Sequence, residues 1–168
     1  EPTRGTACHS IRDNKLYVAN DDALTVIDCG LHRVRAVIPV GTLPGTLVYN
    51  PMLDRVYSFS ELDNTVSVIN CGNDEVIATV EVGRRPAGAC LNRDGMRLFV
   101  ACTDDNAVTV FDCEKDKLMA VIPVGLAPGA VAYSPVHDMV FCTDRAGNTV
   151  TIIDPYHNVV TGQVPVGR

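Results

Sequence analysis

Arginine and aspartate are the residues of this chain whose placement could do chemistry. Arg84 and Arg85 stand side by side, and Arg168 is a third cation in an equivalent stretch. A guanidinium is a planar fork of N–H donors that suits a carboxylate or a phosphate, so the three could hold an anionic group. Asp21, Asp22, Asp63, Asp104, Asp105 and Asp144, the last followed by Arg145, lie in short polar stretches between apolar runs. Carboxylates gathered in this way could bind a cation. Each set also has a plainer reading. The arginines can pair with neighbouring acids in solvent, and aspartate favours hairpins because its short side chain bonds to its own turn.

Other reactive patterns are missing. The histidines, His9, His32, His137 and His157, fall in turns at no shared spacing, with no HxH or HxxxH pair, so no converging metal set is expected. The sequence has no GxSxG elbow, no GxxxxGK[ST] loop and no CxxC pair. No catalytic residue, metal site or cofactor is assigned. The seven cysteines read as reduced thiols acting as small side chains, which points toward a reducing compartment. Cys29, Cys71 and Cys113 occupy one repeat position, and neighbouring units should hold them beyond the ~7 Å Cα separation of a disulfide.

The elements that position these residues repeat. Val-Gly recurs at Gly41, Gly83, Gly125 and Gly167, each 42 residues after the last, so the 168 residues contain four units. The expected boundaries are about 1–42, 43–84, 85–126 and 127–168, one array with a shared core. Each unit holds four short apolar runs parted by turn residues, the pattern of a four-stranded antiparallel sheet with no room for a helix. In the last run apolar residues alternate: Val34, Ala36, Ile38, Val40; Val76, Ala78, Val80, Val82; Leu118, Ala120, Ile122, Val124; and Val160, Gly162, Val164, Val166. Period two predicts one buried face. Pro39, Pro123 and Pro165, with Glu81 as the fourth member, mark this run as the sheet's outer edge, since proline gives no N–H to a ladder. The third run, apolar on both faces, should be central. It ends in Asp28, Asn70, Asp112 or Asp154, whose recurrence in all four units predicts a structural hydrogen bond to the turn that follows.

The Val-x-Val-Ile-Asp strands, the Ile-Pro-Val-Gly that follows and Tyr17-Val18-Ala19-Asn20 resemble the YVTN family of β-propeller repeats over the whole chain. The resemblance implies an all-β propeller of four-stranded antiparallel blades, four per chain. It also implies that the connectors between blades share a face with the hairpins joining second and third strands. On that face Arg84, Arg85 and Arg168 form a basic centre inside a rim of Asp21, Asp22, Asp63, Asp104, Asp105 and Asp144 with Arg145. A β-helix or β-sandwich is the competing architecture.

Four blades in one ring diverge by about 90° and need bulky wedges, whereas eight diverge by about 45°. The chain has no Trp, four Phe and five Tyr, and its outer strands carry Val, Ile, Leu and Ala. Small side chains favour nearly parallel sheets. The expectation is therefore a homodimer of two half rings forming one eight-bladed propeller with two-fold symmetry, against the alternative of a four-bladed monomer.

The function expected is a non-catalytic binding or scaffold module, self-assembling through blade faces and meeting a protein or small ligand at the loop face or channel. One alternative is an enzyme or cofactor-binding propeller, as in lactonases and some redox enzymes that the resemblance brings in. The other is a purely structural unit, engineered or excised from a longer propeller. A net charge of −6 offers no basic face for nucleic acid. No run reaches the roughly 18 apolar residues of a membrane span, and the start, Glu1-Pro2-Thr3-Arg4, lacks the regions of a signal peptide.

Overall fold

A computed structural model describes residues 6–167. Among the described residues sixteen strands form four sheets, each a meander in which sequence neighbours pair antiparallel. The first sheet comprises β1 (Ala7–Ser10), β2 (Lys15–Asn20), β3 (Ala23–Asp28) and β4 (Arg33–Pro39). The second comprises β5 (Pro44–Asn50), β6 (Arg55–Ser60), β7 (Thr65–Asn70) and β8 (Glu75–Glu81). Then follow β9 (Pro86–Leu91), β10 (Arg97–Cys102), β11 (Ala107–Asp112) and β12 (Lys117–Pro123). The last sheet is β13 (Pro128–Ser134), β14 (Met139–Asp144), β15 (Thr149–Asp154) and β16 (Val159–Pro165). These are the blades of a β-propeller. The strands carrying Pro39, Glu81, Pro123 and Pro165 are the edges, as their lack of a donor or their charge requires.

Contacts gather the sheets into two compact units, one ending at Glu81 and one beginning at Val82. In the first unit, Tyr17, Ala19, Leu24, Val26 and Ile38 of the first sheet pack with Val56, Ile69 and Cys71 of the second. In the second unit, Phe99, Ala101, Val108, Val110 and Ile122 pack with Val140, Cys142 and Ile153. Period-two alternation creates these layers, because successive side chains leave a strand on opposite faces.

Three expectations change on contact with the structure. Val34, Val76, Leu118 and Val160, the first member of each alternating set, lie at the surface, while Ile38 and Ile122 are buried. The cause is a register shift repeated in every sheet, between Val26 and Ile27, Val68 and Ile69, Val110 and Phe111, and Ile152 and Ile153. A bulge there twists the start of the edge strand away from the core. His9 lies within β1 instead of a turn. Thr103–Asp105 winds one 3₁₀ turn inside a hairpin, although four strands in each unit predict no room for a helix.

The repeated strand-end residue behaves as its recurrence predicts. Asp28 Oδ1 accepts from the N–H groups of Gly30 and Leu31, and Asn70 Oδ1 from Gly72. Asp112 Oδ1 caps Glu114 and Lys115, and Asp154 Oδ1 caps Tyr156 and His157.

Candidate functional site

In the second unit the connector Gly83-Arg84-Arg85 meets the hairpin that contains the 3₁₀ turn. The Thr103 N–H donates to Arg85 O at 3.1 Å and fixes the two loops against each other. Arg85 adopts φ 54°, and Leu43 and Ala127 take the same left-handed conformation in their own connectors. Side chains seldom adopt it, so the recurrence shows a shared turn that the flanking strands impose.

This geometry brings both arginines onto acids. Arg84 Nε lies 2.6 Å from Asp105 Oδ1, its backbone N–H donates to Asp105 Oδ2 at 2.6 Å, and Nη2 donates to Asp104 O at 3.0 Å. Arg85 Nη1 stands 3.7 Å from Asp104 Oδ1. The side-chain and backbone donors of Arg84 hold the Asp105 carboxyl below the usual carboxylate range, and Asp105 raises the Arg84 guanidinium in return. Both pairs face solvent, which screens them. An apolar cleft of about 290 Å³ opens beside Asp105, walled by Val82, Ala107, Leu118, Val121 and Pro123.

The remaining candidates divide by unit. In the first, Asp63 Oδ2 accepts the Thr42 N–H at 2.6 Å, the counterpart of Asp105 with Arg84. Asp21 and Asp22 act through backbone carbonyls, which accept from Leu43 and Val40, and their side chains are exposed. In the second, Asp144 is buried; Oδ2 accepts from Thr149 Oγ1 at 2.8 Å and Thr151 Oγ1 at 2.7 Å. Its Oδ1 has no hydrogen-bond partner among the described residues. Arg145 lies along the inner strand, where a Cβ built on Gly129 would come 3.0 Å from its Nε. Arg168 lies outside the described residues.

One polar cluster escaped the sequence reading. In the first unit Lys15 Nζ donates to Asp74 Oδ1 at 2.9 Å, Tyr17 Oη donates to the same oxygen at 2.8 Å, and Arg35 Nε reaches Oδ2 at 2.7 Å. The Lys15 and Asp74 side chains are 6% and 5% exposed, so this is an interior ion pair. Burial alone would raise the Asp74 carboxyl, but hydrogen bonds from Lys15, Tyr17 and Arg35 outweigh it and the group falls below its ordinary value. Burial raises the Tyr17 phenol, with Cys71 and Asp74 adding to the effect. A sequence signal existed: the second strand of the first three units opens with Lys15, Arg55 and Arg97.

None of the seven cysteines, all among the described residues, is in a disulfide. Burial pushes the thiols of Cys8, Cys90 and Cys142 up to about 12 and that of Cys71 up to about 11. Such thiols are protonated near neutrality and make poor nucleophiles. Among the described residues no three His, Cys, Asp or Glu side chains converge to hold a metal, and no helix is long and apolar enough to cross a membrane.

No protein-family profile and no curated protein sequence matches the chain. Solved structures do. Hydrazine synthase of Kuenenia stuttgartiensis superposes with TM-score 0.83 at 22% identity, covering 94% of this chain and 47% of that one. A mitotic checkpoint complex superposes with TM-score 0.84 at 15% identity, covering 96% of this chain and 50% of that one. The chain therefore spans about half the length of the solved chains it matches. At these identities the likeness shows the β-propeller fold.

Proposed function

We propose that the chain is a non-catalytic binding or scaffold propeller of YVTN type whose ring is completed by a second copy. The observation that carries this reading is the exposure of one face of the last sheet and one face of the first. On the last sheet Phe141, Val150 and Ile152 are half-exposed, whereas their repeat counterparts Phe99, Val108 and Val110 are fully buried. On the first sheet Leu16, Val18 and Ile27 are half-exposed, whereas Val140, Cys142 and Ile153 at the same repeat positions are buried. Apolar sheet faces of this kind favour association.

A binding role draws support from the loop face, where Asp105, paired with Arg84, lines the apolar cleft. An apolar side chain flanked by a charged group suits that surface. The buried, protonated thiols support the non-catalytic part. Sedimentation equilibrium at micromolar concentration tests the assembly: a mass near twice 18.0 kDa is expected, and a stable monomer overturns the reading.

A further inference from the structure

The joints between sheets use a side chain and a socket that recur along the chain. The first three Val-Gly glycines each receive the residue that ends the second strand of the following sheet. A Cβ on Gly41 would lie 2.5 Å from Ser60 Oγ, one on Gly83 2.7 Å from Cys102 Cβ, and one on Gly125 2.4 Å from Asp144 Oδ2. Glycine is needed there because the incoming side chain fills the space. Gly167, the fourth of the series, has nothing among the described residues within 4 Å of such a Cβ. Asn20, the fourth residue of the other series, is exposed at the end of β2. Among the described residues the Gly167 socket is therefore unfilled, and Asn20, whose Nδ2 donates to Thr25 Oγ1 of its own sheet at 2.5 Å, fills no socket.

A second pair of positions is matched as well. Lys15 reaches Cys71 O and Asp74 in the following sheet, and Arg97 reaches Pro155 O and Tyr156 O. The next cation position holds Met139, and the acceptor positions corresponding to Cys71 and Asp74 hold Cys29 and His32. The cation and the acid are absent together. His32 keeps the left-handed turn of Asp74, with φ 51° against 60°. A Met placed over a Cys–His turn leaves no buried charge without a partner, whereas a Lys at 139 would have no carboxylate to meet.

We propose that the face of the last sheet bearing Phe141, Val150 and Ile152 packs on the face of the first sheet bearing Leu16, Val18 and Ile27 of a second copy, with Asn20 seated on Gly167 and Met139 over the Cys29–His32 turn. The contact is head-to-tail, and two such contacts close a pair of copies. The inference rests on the reading that a second copy completes the ring, and specifies which face meets which.

Charge insertion and mixing test it. Val18→Arg and Ile152→Arg each place an arginine on one of the two faces, at positions already half-exposed. Each variant alone should sediment as a monomer. An equimolar mixture should recover a two-copy species, because one of its two contacts joins unaltered faces. Single variants that remain dimeric pair like with like and overturn the inference while leaving the dimer intact. A wild-type monomer overturns both.

Gly167→Val supplies a second measurement. None of the described residues lies within 4 Å of a Cβ at this position, so monomer melting should be unchanged while the dimer dissociation constant rises at least tenfold. An unchanged constant overturns the Asn20 seat. Open arrays larger than two copies support the face pairing and overturn closure at two.

Discussion

Asp74 shows how a single residue can hold a joint between two sheets. Its carboxylate neutralises Lys15 in the interior and takes a further bond from Tyr17. Replacing it by Asn retains an acceptor but leaves the Lys15 ammonium without its counter-charge. Removing one member of a buried pair costs about 3 kcal/mol, reduced here because Arg35 is half-exposed and brings solvent to the other oxygen. The folded carboxyl titrates below its unfolded value of about 3.9. Its contribution is therefore complete above that pH and is lost as pH falls through the folded value. Thermal melts from pH 7 down to pH 2 should show wild type losing stability below about pH 4. Asp74→Asn should begin lower at neutral pH and show a shallower acid limb; parallel acid limbs would contradict this account. The same residue marks the limit of sequence reading. Asp74 looks like one more turn aspartate, and only the packing of the second sheet on the first brings Lys15 within 2.9 Å.

At the scale of the element, strands were legible because their signals are local. Alternation, proline at the outer edge and an Asx residue before each turn are written within a few neighbouring positions. The bulge was not legible, because it depends on how the outer strand accommodates its partner. The placement of Arg84 and Arg85 depends likewise on the next sheet's hairpin, so the sequence left open whether they hold an anion or pair with the rim. Glycines carry the tightest element contacts. A Cβ on Gly88 of β9 would stand 2.4 Å from the carbonyl oxygen of Gly129 on β13. That atom belongs to a paired strand and cannot rotate away, so Gly88→Ala should cost about 1–3 kcal/mol of stability in denaturant titration. The connector offers the opposite case. Ala127 holds φ 50° while its N–H donates to Asn106 Oδ1 at 2.9 Å. Ala127→Gly keeps that donor and relieves the left-handed strain, so it should stabilise by about 0.5–1 kcal/mol. A midpoint that does not rise would show that the backbone tolerates the turn without strain.

For the whole molecule, the question is what covers the apolar faces of the first and last sheets. Val37 and Val164 on edge strands are also exposed, at 62% and 49%, and each continues an apolar set of its own sheet. Burying such faces stabilises by roughly 25 cal/mol for each Å² removed from water, so a second copy makes folding and association partly one equilibrium. Stability then depends on concentration by mass action. Each tenfold rise in protein adds about 1.4 kcal/mol per dimer to the free energy separating assembled from unfolded chains. Melting temperature should climb steadily between micromolar and hundred-micromolar protein, and the Val18→Arg and Ile152→Arg variants should lose that slope while keeping a strand-rich circular dichroism spectrum. A wild-type melting temperature independent of concentration would mean that the exposed faces contribute nothing through a second copy. The loop-face pairs Arg84–Asp105 and Arg85–Asp104 would then have to act from a single chain. Screening of those solvent-facing pairs by salt leaves the concentration slope intact, because the faces that produce it are apolar.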